Sequence, residues 1–201
     1  MAHSPIRNHN GNPLGDHGFT LIEMMVTLAV AVIVVTLVIP SFTRLLHNNQ
    51  ARNLGFELQS TLNMARSEAI KRNRQVTVCA KQADAIQCDN SAGGQGEWQD
   101  GWLVFLDDDD DNVYDAGEEL LRLREALEMG SIQSNSADTD VDFRASGSVL
   151  PFDNRTYRIC LTDNQKHGII LASSGRARHI NADDPDVDPT DVDTVQNVTC
   201  P

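Results

Sequence analysis

Acidic side chains recur at regular intervals in the stretch that begins at Asp107. With Asp107 as the first position of a twelve-residue EF-hand loop, the third, fifth, ninth and twelfth positions are also acidic. Carboxylate oxygens on a turning loop are the hard ligands that Ca²⁺ prefers. The spacing therefore predicts a calcium site whose ligands are Asp107, Asp109, Asp111, Asp115 and Glu118.

The sixth position of this loop holds Asn112, where the EF-hand motif has a glycine that makes a sharp turn. Asparagine tolerates a left-handed backbone better than most residues, so the departure from the motif is partial. The alternative is a solvated hairpin loop that holds no metal. The sequence leaves both alternatives open, and no other cofactor is indicated.

Two arginines alternate in the segment Ser173–Ile180, after a glycine that permits a tight turn. If the segment is extended, Arg176 and Arg178 lie on one face, where two guanidinium groups could hold phosphates. The alternative is a structural arginine pair, because an aspartate-rich segment follows and would repel phosphate. Other basic residues would extend the face if their strands present it: Arg144, Arg155, Arg158 and Lys166.

Four cysteines are present: Cys79, Cys88, Cys160 and Cys200. An even number of cysteines in an oxidising compartment indicates disulfides, and three pairings are open. We predict Cys79–Cys88, which closes a short loop, and Cys160–Cys200, which attaches the C-terminus to a strand. A zinc site is the alternative, but the chain has no CxxC motif and no histidines grouped near the cysteines.

No catalytic set is evident in the sequence. Ser173 and Ser174 precede His179, but no GxSxG motif frames either serine. We therefore expect that the chain is not an enzyme.

The segment Phe19–Ile39 is apolar apart from one charged residue, Glu23. As a helix it would be roughly 30 Å long, enough to cross the hydrocarbon core of a bilayer. A carboxylate inside such a span costs on the order of 2.5–3.5 kcal/mol, so it usually marks a function. The preceding residues, Met1–Gly18, are polar and contain no apolar region of their own.

This N-terminal segment resembles the class III signal of type IV pilins and pseudopilins. The matching positions are Gly18, Phe19 and Glu23, and Pro40 falls where many pilins kink the first helix. The resemblance implies that a prepilin peptidase cuts between Gly18 and Phe19, and that Phe19 is then N-methylated. It also implies that Glu23 pairs with the N-terminal amine of a neighbouring subunit, which offsets the cost of burying the charge.

The helical pattern continues beyond Pro40 to about Arg74. An apolar stripe with helical spacing would pack on a sheet, and it consists of Leu54, Leu58, Leu62, Ala65 and Ala69. The opposite face is expected to be solvated and carries Arg52, Arg66, Lys71 and Arg72.

About six strands follow in the pattern. They are Gln75–Ala80, Gly101–Asp107, and the segments ELLRLREAL, VDFRASGSVL, TYRICL and GIILASS. The predicted fold class is α+β: a long N-terminal helix, transmembrane in its first half and amphipathic in its second, packed on an antiparallel β-sheet domain.

The predicted organisation has five parts. A leader covers residues 1–18, a transmembrane and assembly helix 19–40, and the amphipathic half of that helix 41–74. A β-rich globular domain covers 75–180, and an acidic tail anchored by Cys200 covers 181–201. The net charge of −13 is unevenly distributed, so the composition excludes nucleic-acid binding by the whole surface but not by a local patch.

The order of the segments GWLVFLD, YRICL and GIILASSGRAR resembles the FimT/GspH family of minor pilins and pseudopilins. The resemblance implies a minor pilin of a type IV pilus, anchored in the inner membrane with its C-terminal domain in the periplasm. Its implied partners are other pilins, the prepilin peptidase and, through Arg176 and Arg178, DNA during uptake. The alternatives are a GspH-type pseudopilin of a type II secretion system and a DNA-receptor module.

Overall fold

The computed structural model describes residues 18–89, 98–136, 139–150, 154–161, 167–181 and 190. The chain forms two compact units, Met1–Thr43 and Arg44–Pro201. The predicted leader and most of the acidic tail lie outside the described residues. Helix α1 runs from Leu21 to Arg72 and contributes to both units.

Helix α1 begins and ends with recognisable caps. Thr20 and Glu23 exchange hydrogen bonds at the N-terminus, with the Glu23 backbone N–H 3.2 Å from Thr20 Oγ1. At the C-terminus Asn73 has a φ of 53°, and the N–H groups of Asn73 and Arg74 donate to the carbonyls of Ile70 and Ala69. This Schellman arrangement satisfies the last carbonyls of the helix and turns the chain towards the first strand.

The predicted apolar stripe of α1 is confirmed within the second unit. Leu58, Leu62, Ala65 and Ala69 are fully buried and Leu54 is 9% exposed. Burying a leucine side chain contributes about 1.5–3 kcal/mol, so this stripe is a major source of stability. Gly55 brings the helix close to the sheet, because a Cβ there would lie 2.6 Å from His179 Cδ2.

Nine strands form two antiparallel sheets in the described part of the chain. The five-stranded sheet has the order β3-β2-β1-β5-β6, with β1 Val76–Ala80, β2 Trp102–Leu106, β3 Leu120–Arg124, β5 Asp140–Phe143 and β6 Val149–Leu150. The four-stranded sheet has the order β4-β7-β8-β9, with β4 Ser131–Ser134, β7 Arg155–Cys160, β8 His167–Leu171 and β9 Ala177–Asn181.

One hydrophobic core joins the amphipathic half of α1 to both sheets. It includes Val76 and Val104 of the five-stranded sheet and Ile159 and Ile169 of the four-stranded sheet. Trp98 packs edge-on against Tyr157, with ring centroids 5.3 Å apart. The α+β class and the pilin-like arrangement of helix and antiparallel sheets are therefore confirmed.

The number of strands differs from the prediction. The segment VDFRASGSVL is a hairpin, β5 and β6, rather than one strand, because Gly147 adopts a φ of 80° and reverses the chain. Strands β4 and β9 were not predicted, since SIQS and ARHIN contain little apolar alternation. Both strands form because long-range pairing with β7 and β8 satisfies their backbone groups.

The polar face of α1 is only partly solvated, whereas the prediction had it entirely solvated. Arg52 and Lys71 are exposed, but Arg72 forms ion pairs with Glu68 and Glu119. Arg66 donates through Nε to the carbonyl of Gly147 at 3.0 Å. Two of the four basic residues therefore attach the helix to the sheet domain.

The disulfide Cys79–Cys88 is confirmed, with the two Cα atoms 5.5 Å apart. Lys81 is 5% exposed beside it, and its Nζ donates to the carbonyls of Gln82 and Ala83 inside the closed loop. Cys160 is also disulfide-bonded. Cys200 lies outside the described residues, so the pairing Cys160–Cys200 stays a prediction.

Candidate functional site

The N-terminal unit presents an apolar helical surface. The segment Leu21–Ile39, 19 residues, is long and apolar enough to cross a membrane, and within the structure none of it is buried. At about 1.5 Å per residue its length is about 28 Å, close to the thickness of the hydrocarbon core.

Glu23 closes a capping box with Thr20 at the start of this helix. Its Oε2 lies 3.5 Å from the Thr20 backbone N–H, and its own N–H donates to Thr20 Oγ1 at 3.2 Å. The carboxylate therefore has one polar partner in this capping box, the Thr20 backbone N–H. Phe19 precedes α1 and lies four residues before Glu23 in the chain, so cleavage after Gly18 would place the new amine at the N-terminal end of this helix.

The acidic loop is the segment from Asp107 to Glu118, and its first and last carboxylates accept hydrogen bonds from its own backbone. Asp107 is 2% exposed, and it accepts from the N–H groups of Asp111 at 3.3 Å and Asn112 at 3.1 Å. Glu118 accepts from the N–H groups of Asp108 and Asp115, both at 2.9 Å. These bonds hold the loop in a defined shape.

The backbone of Asn112 is left-handed, with a φ of 63°, as the EF-hand comparison requires of the sixth position. Asp110 has the same φ of 63°. Asn112 also donates through Nδ2 to Asp140 Oδ2 at 2.8 Å, which connects the loop to β5.

The predicted calcium ligands fall into two overlapping groups in the structure. Carboxylate oxygens of Asp107, Asp109 and Glu118 lie within 4.8 Å of one another, and so do those of Asp109, Asp111 and Asp115. Desolvation and the neighbouring carboxylates of Asp111 and Asp107 raise the pKa of Asp109. A divalent cation would relieve this repulsion, and calcium binding stays a prediction.

The arginine turn is the segment Ser173–Arg178, which follows β8 and includes the first two residues of β9. Gly175 has a φ of 78°, and its N–H donates to the Ala172 carbonyl at 2.7 Å. A Cβ at Gly175 would overlap the carbonyl oxygen of Gly147, in the turn between β5 and β6. Glycine is therefore required here by close packing of two turns as well as by the backbone conformation.

Arg176 and Arg178 project on the same side of β9 and both are exposed, whereas Ala177 between them is buried. Together with Asn154 they line a shallow cavity of about 310 Å³. The predicted alternation onto one face is thus present in the structure.

Arg155 does not extend the arginine face, which is the exposed surface formed by Arg176 and Arg178. It is 2% exposed, and its guanidinium donates to the backbone carbonyls of Asp140 and Leu150. Arg155 therefore connects β7 with β5 and β6 across the two sheets, so its predicted extension of the phosphate-binding face is wrong.

The other basic residues that could extend the arginine face have different surroundings. Arg144 follows β5, is exposed, and lines a separate polar cavity near the acidic loop. Arg158 lies on β7 and is half-buried. Lys166 lies outside the described residues.

Two titratable groups to which the sequence assigned no role have strongly shifted pKa values. Desolvation, reinforced by Asp140, raises the pKa of Asp142 on β5 to about 6. Desolvation, reinforced by His167 and Arg52, lowers the pKa of His179 on β9 to about 4. Their alternating positions in DVDF and ARHIN are compatible with solvated side chains, so no local pattern could have identified them.

A membrane-length helix with one carboxylate near its start, followed by an amphipathic helix packed on antiparallel sheets, defines a pilin-like protein. A model of the prokaryotic N-terminal methylation motif matches residues 14–39. A family model described as type II transport protein GspH matches residues 57–180. The chain therefore belongs to the GspH family.

Two crystal structures of the type IV minor pilin FimU from Pseudomonas aeruginosa are similar to this chain. One has 20% sequence identity and a TM-score of 0.48, and the alignment covers 64% of this chain and 91% of that chain. The other has 22% identity and a TM-score of 0.48, covering 65% and 87%. No curated protein sequence matches the chain.

Proposed function

We propose that the chain is a minor pilin, a structural subunit that joins a type IV pilus through its N-terminal helix. The observation that carries this proposal is Glu23, the single charge in a membrane-length apolar segment, placed next to the Gly18–Phe19 junction. Prepilin peptidase removes the leader at that junction and exposes an amine at Phe19. The C-terminal unit lies in the periplasm before assembly.

The capping box supports a change of partner for the Glu23 carboxylate between the single subunit and the filament. In a single subunit the Thr20 backbone N–H donates to the carboxylate, which lowers the cost of holding it near the bilayer. In the filament the amine of a neighbouring subunit supplies an opposite charge at short range in a low dielectric. The exchange of partners favours assembly over the isolated state.

The test compares Glu23→Gln with the wild-type chain in a cell that assembles pili. The amide keeps the size and the capping contact but removes the charge, so membrane insertion and cleavage are expected to proceed while incorporation into sheared filaments falls. Intact-mass analysis of the extracted protein is expected to give a chain that starts at Phe19 with an added methyl group. Normal incorporation of Glu23→Gln, or a mature chain that retains Met1–Gly18, would refute the proposal.

A second candidate is a pseudopilin of a type II secretion system, which the description of the matching family favours. Both candidates need the same N-terminal helix, so gene neighbourhood and deletion phenotypes separate them. Loss of surface pili on deletion supports the minor pilin. Retention of pili with loss of secreted proteins supports the pseudopilin.

We propose in addition that the minor pilin binds DNA weakly through Arg176 and Arg178. What supports it is their exposure on one side of β9 beside the cavity that Asn154 lines. Guanidinium groups on one face suit phosphate contacts, which position a duplex without reading its sequence.

A further inference from the structure

A polar cavity of about 520 Å³ opens where the C-terminal end of α1 meets the acidic loop and the β5–β6 hairpin. Its walls include Gln75 after the helix, Asn112 of the acidic loop and Asp142 of β5. The arginine turn lies outside it, and the N-terminal assembly helix contributes nothing to it. The cavity is therefore separate from the surfaces to which the proposed function assigns a role.

Asp142 is the buried acid of this cavity, with 7% of its surface exposed. Its Oδ1 lies 2.9 Å from Thr77 Oγ1, and the same hydroxyl lies 3.1 Å from Asp107 Oδ2. A threonine hydroxyl has one hydrogen and can donate to only one of these carboxylates. Among the described residues Thr77 gives the single hydrogen bond to the Asp142 carboxyl, so this buried group lacks donors.

The charges around Asp142 also affect the cost of burying its carboxylate. Asp140 precedes Asp142 on the same strand and Asp107 lies across Thr77, and both raise the pKa of Asp142 in addition to its desolvation. The charge of Arg155 opposes these two carboxylates and lowers the pKa of Asp142, while its guanidinium donates to the backbone carbonyls of Asp140 and Leu150. The surroundings of Asp142 are therefore acidic on balance, and Asp142 itself lines the cavity.

The upper walls indicate what kind of cation fits. Leu150 provides an apolar side, Arg74 on the rim is paired with Asp108, and Arg144 on the rim is exposed to solvent, which screens its charge. The volume is many times the approximately 30 Å³ that one water occupies, so a bare ion would leave most of the cavity filled with solvent. A long side chain that carries donors at its tip would place its stem on Leu150 and its charged head at Asp142.

We propose that this cavity binds a guanidinium or alkylammonium group, presented as an arginine or lysine side chain by a neighbouring subunit of the filament. That the cationic side chain comes from a neighbouring subunit rests on the proposed assembly function. That the cavity binds a cationic group does not. Asp142 holds the charged group and Leu150 contacts its stem.

The first experiment measures binding to the full chain in detergent, with N-acetyl-arginine methylamide as the probe. Saturable binding is expected by calorimetry, and Asp142→Asn is expected to weaken it at least tenfold because the charge is removed. Asparagine has the same shape and its amide oxygen still accepts from Thr77, so the variant is expected to fold. The charge-matched control is Asp84→Asn, an exposed acid in the disulfide loop, which is expected to bind as the wild type does.

The neutral analogue N-acetyl-citrulline methylamide has nearly the same shape as the probe and tests whether charge is recognised. It is expected to bind at least tenfold more weakly than the arginine compound. Equal binding of the two compounds, or no saturable binding of the arginine compound, would overturn the proposal. So would Asp142-dependent binding of calcium in place of the probe, because the cavity would then be a metal site.

The second experiment identifies the source of the cation. Asp142→Asn is expected to be cleaved and inserted normally but to be incorporated several-fold less into sheared filaments, with Asp84→Asn again as the control. If the probe binds and Asp142→Asn is incorporated normally, a free small molecule is the source and the neighbouring subunit is excluded. If the wild-type chain itself is absent from filaments, the assembly proposal fails while the binding result for the cavity stands.

Discussion

The acidic loop and the arginine turn are both charged segments between strands, and the fold uses their charges in opposite ways. In the acidic loop, carboxylates of Asp107 and Glu118 point back to backbone N–H groups and shape the loop. In the arginine turn, Arg176 and Arg178 are exposed, and Gly175 packs against the backbone of Gly147. A short acceptor side chain can bond its own loop, whereas a long donor reaches beyond a tight turn.

The comparison predicts that glycine matters more in the arginine turn than in the acidic loop. Gly175→Ala is expected to lower the free energy of unfolding by about 2–5 kcal/mol, since a left-handed residue and an overlap with Gly147 both have to be accommodated. Gly117 is the control, with a φ of 121° and nothing within 4 Å of the position that a Cβ would take. Thermal unfolding of the two alanine variants measures the difference, and an equal loss for both would contradict the packing argument.

The two regions are also expected to respond to pH with opposite sign. Beside the acidic loop, the folded-state pKa of Asp142 is about 6, above its ordinary value of 3.8. The folded state therefore binds the proton more tightly, and stability falls as pH rises from about 4 through 6, by on the order of 2 kcal/mol. Asp142→Asn is expected to remove this dependence in melting curves between pH 4 and 7. An unchanged pH profile in the variant would contradict the assignment of this dependence to Asp142.

On the arginine-turn side, the folded-state pKa of His179 is about 4, below its ordinary value of 6.5. The unfolded state binds the proton more tightly, so stability is lost as pH falls from 6.5 through 4. The ring is partly exposed, and with screening the effect is on the order of 1 kcal/mol. His179→Phe keeps the ring that packs 4.8 Å from Phe56 and is expected to flatten the acid side of the profile.

Calcium is expected to bind the acidic loop and not the arginine turn, and so to stabilise the folded chain. With an affinity typical of extracellular calcium modules, about 1 mM calcium raises the free energy of unfolding by about 1 kcal/mol. Glu118→Gln is expected to abolish the rise in melting temperature, and Asp84→Asn, an exposed acid outside the loop, to retain it. Identical melting curves of the wild type in chelator and in calcium would exclude the site.

DNA binding is the smallest expected effect and concerns the arginine turn alone. In a gel shift of the full chain in detergent, Arg176→Gln/Arg178→Gln is expected to reduce the salt dependence of binding by about 2 in the log–log slope. The charge-matched control is Arg52→Gln/Lys71→Gln, which removes two exposed cations from α1. Equal binding by the wild type and both variants would leave only the structural role of the turn.

The sequence by itself determined the features that depend on neighbouring residues. The apolar stripe from Leu54 to Ala69 follows the helical period, and the alternation in Val76–Ala80 identified β1. The nine-residue separation of Cys79 and Cys88 allowed their disulfide. Asn112 was recognised as a residue that tolerates a left-handed backbone, and its φ is 63°. Each of these is local, since the pattern and the structure span the same few residues.

Only the tertiary structure decided the features that depend on residues far apart in the chain. Strands β4 and β9 exist because β7 and β8 pair with them, and Gly175 is constrained by Gly147 of another hairpin. Arg155 is buried where β5 and β6 supply carbonyl acceptors, and Asp142 is buried on β5 beside Thr77 of the neighbouring strand β1. Burial and close approach are set by what packs against a residue, and no local period encodes that partner.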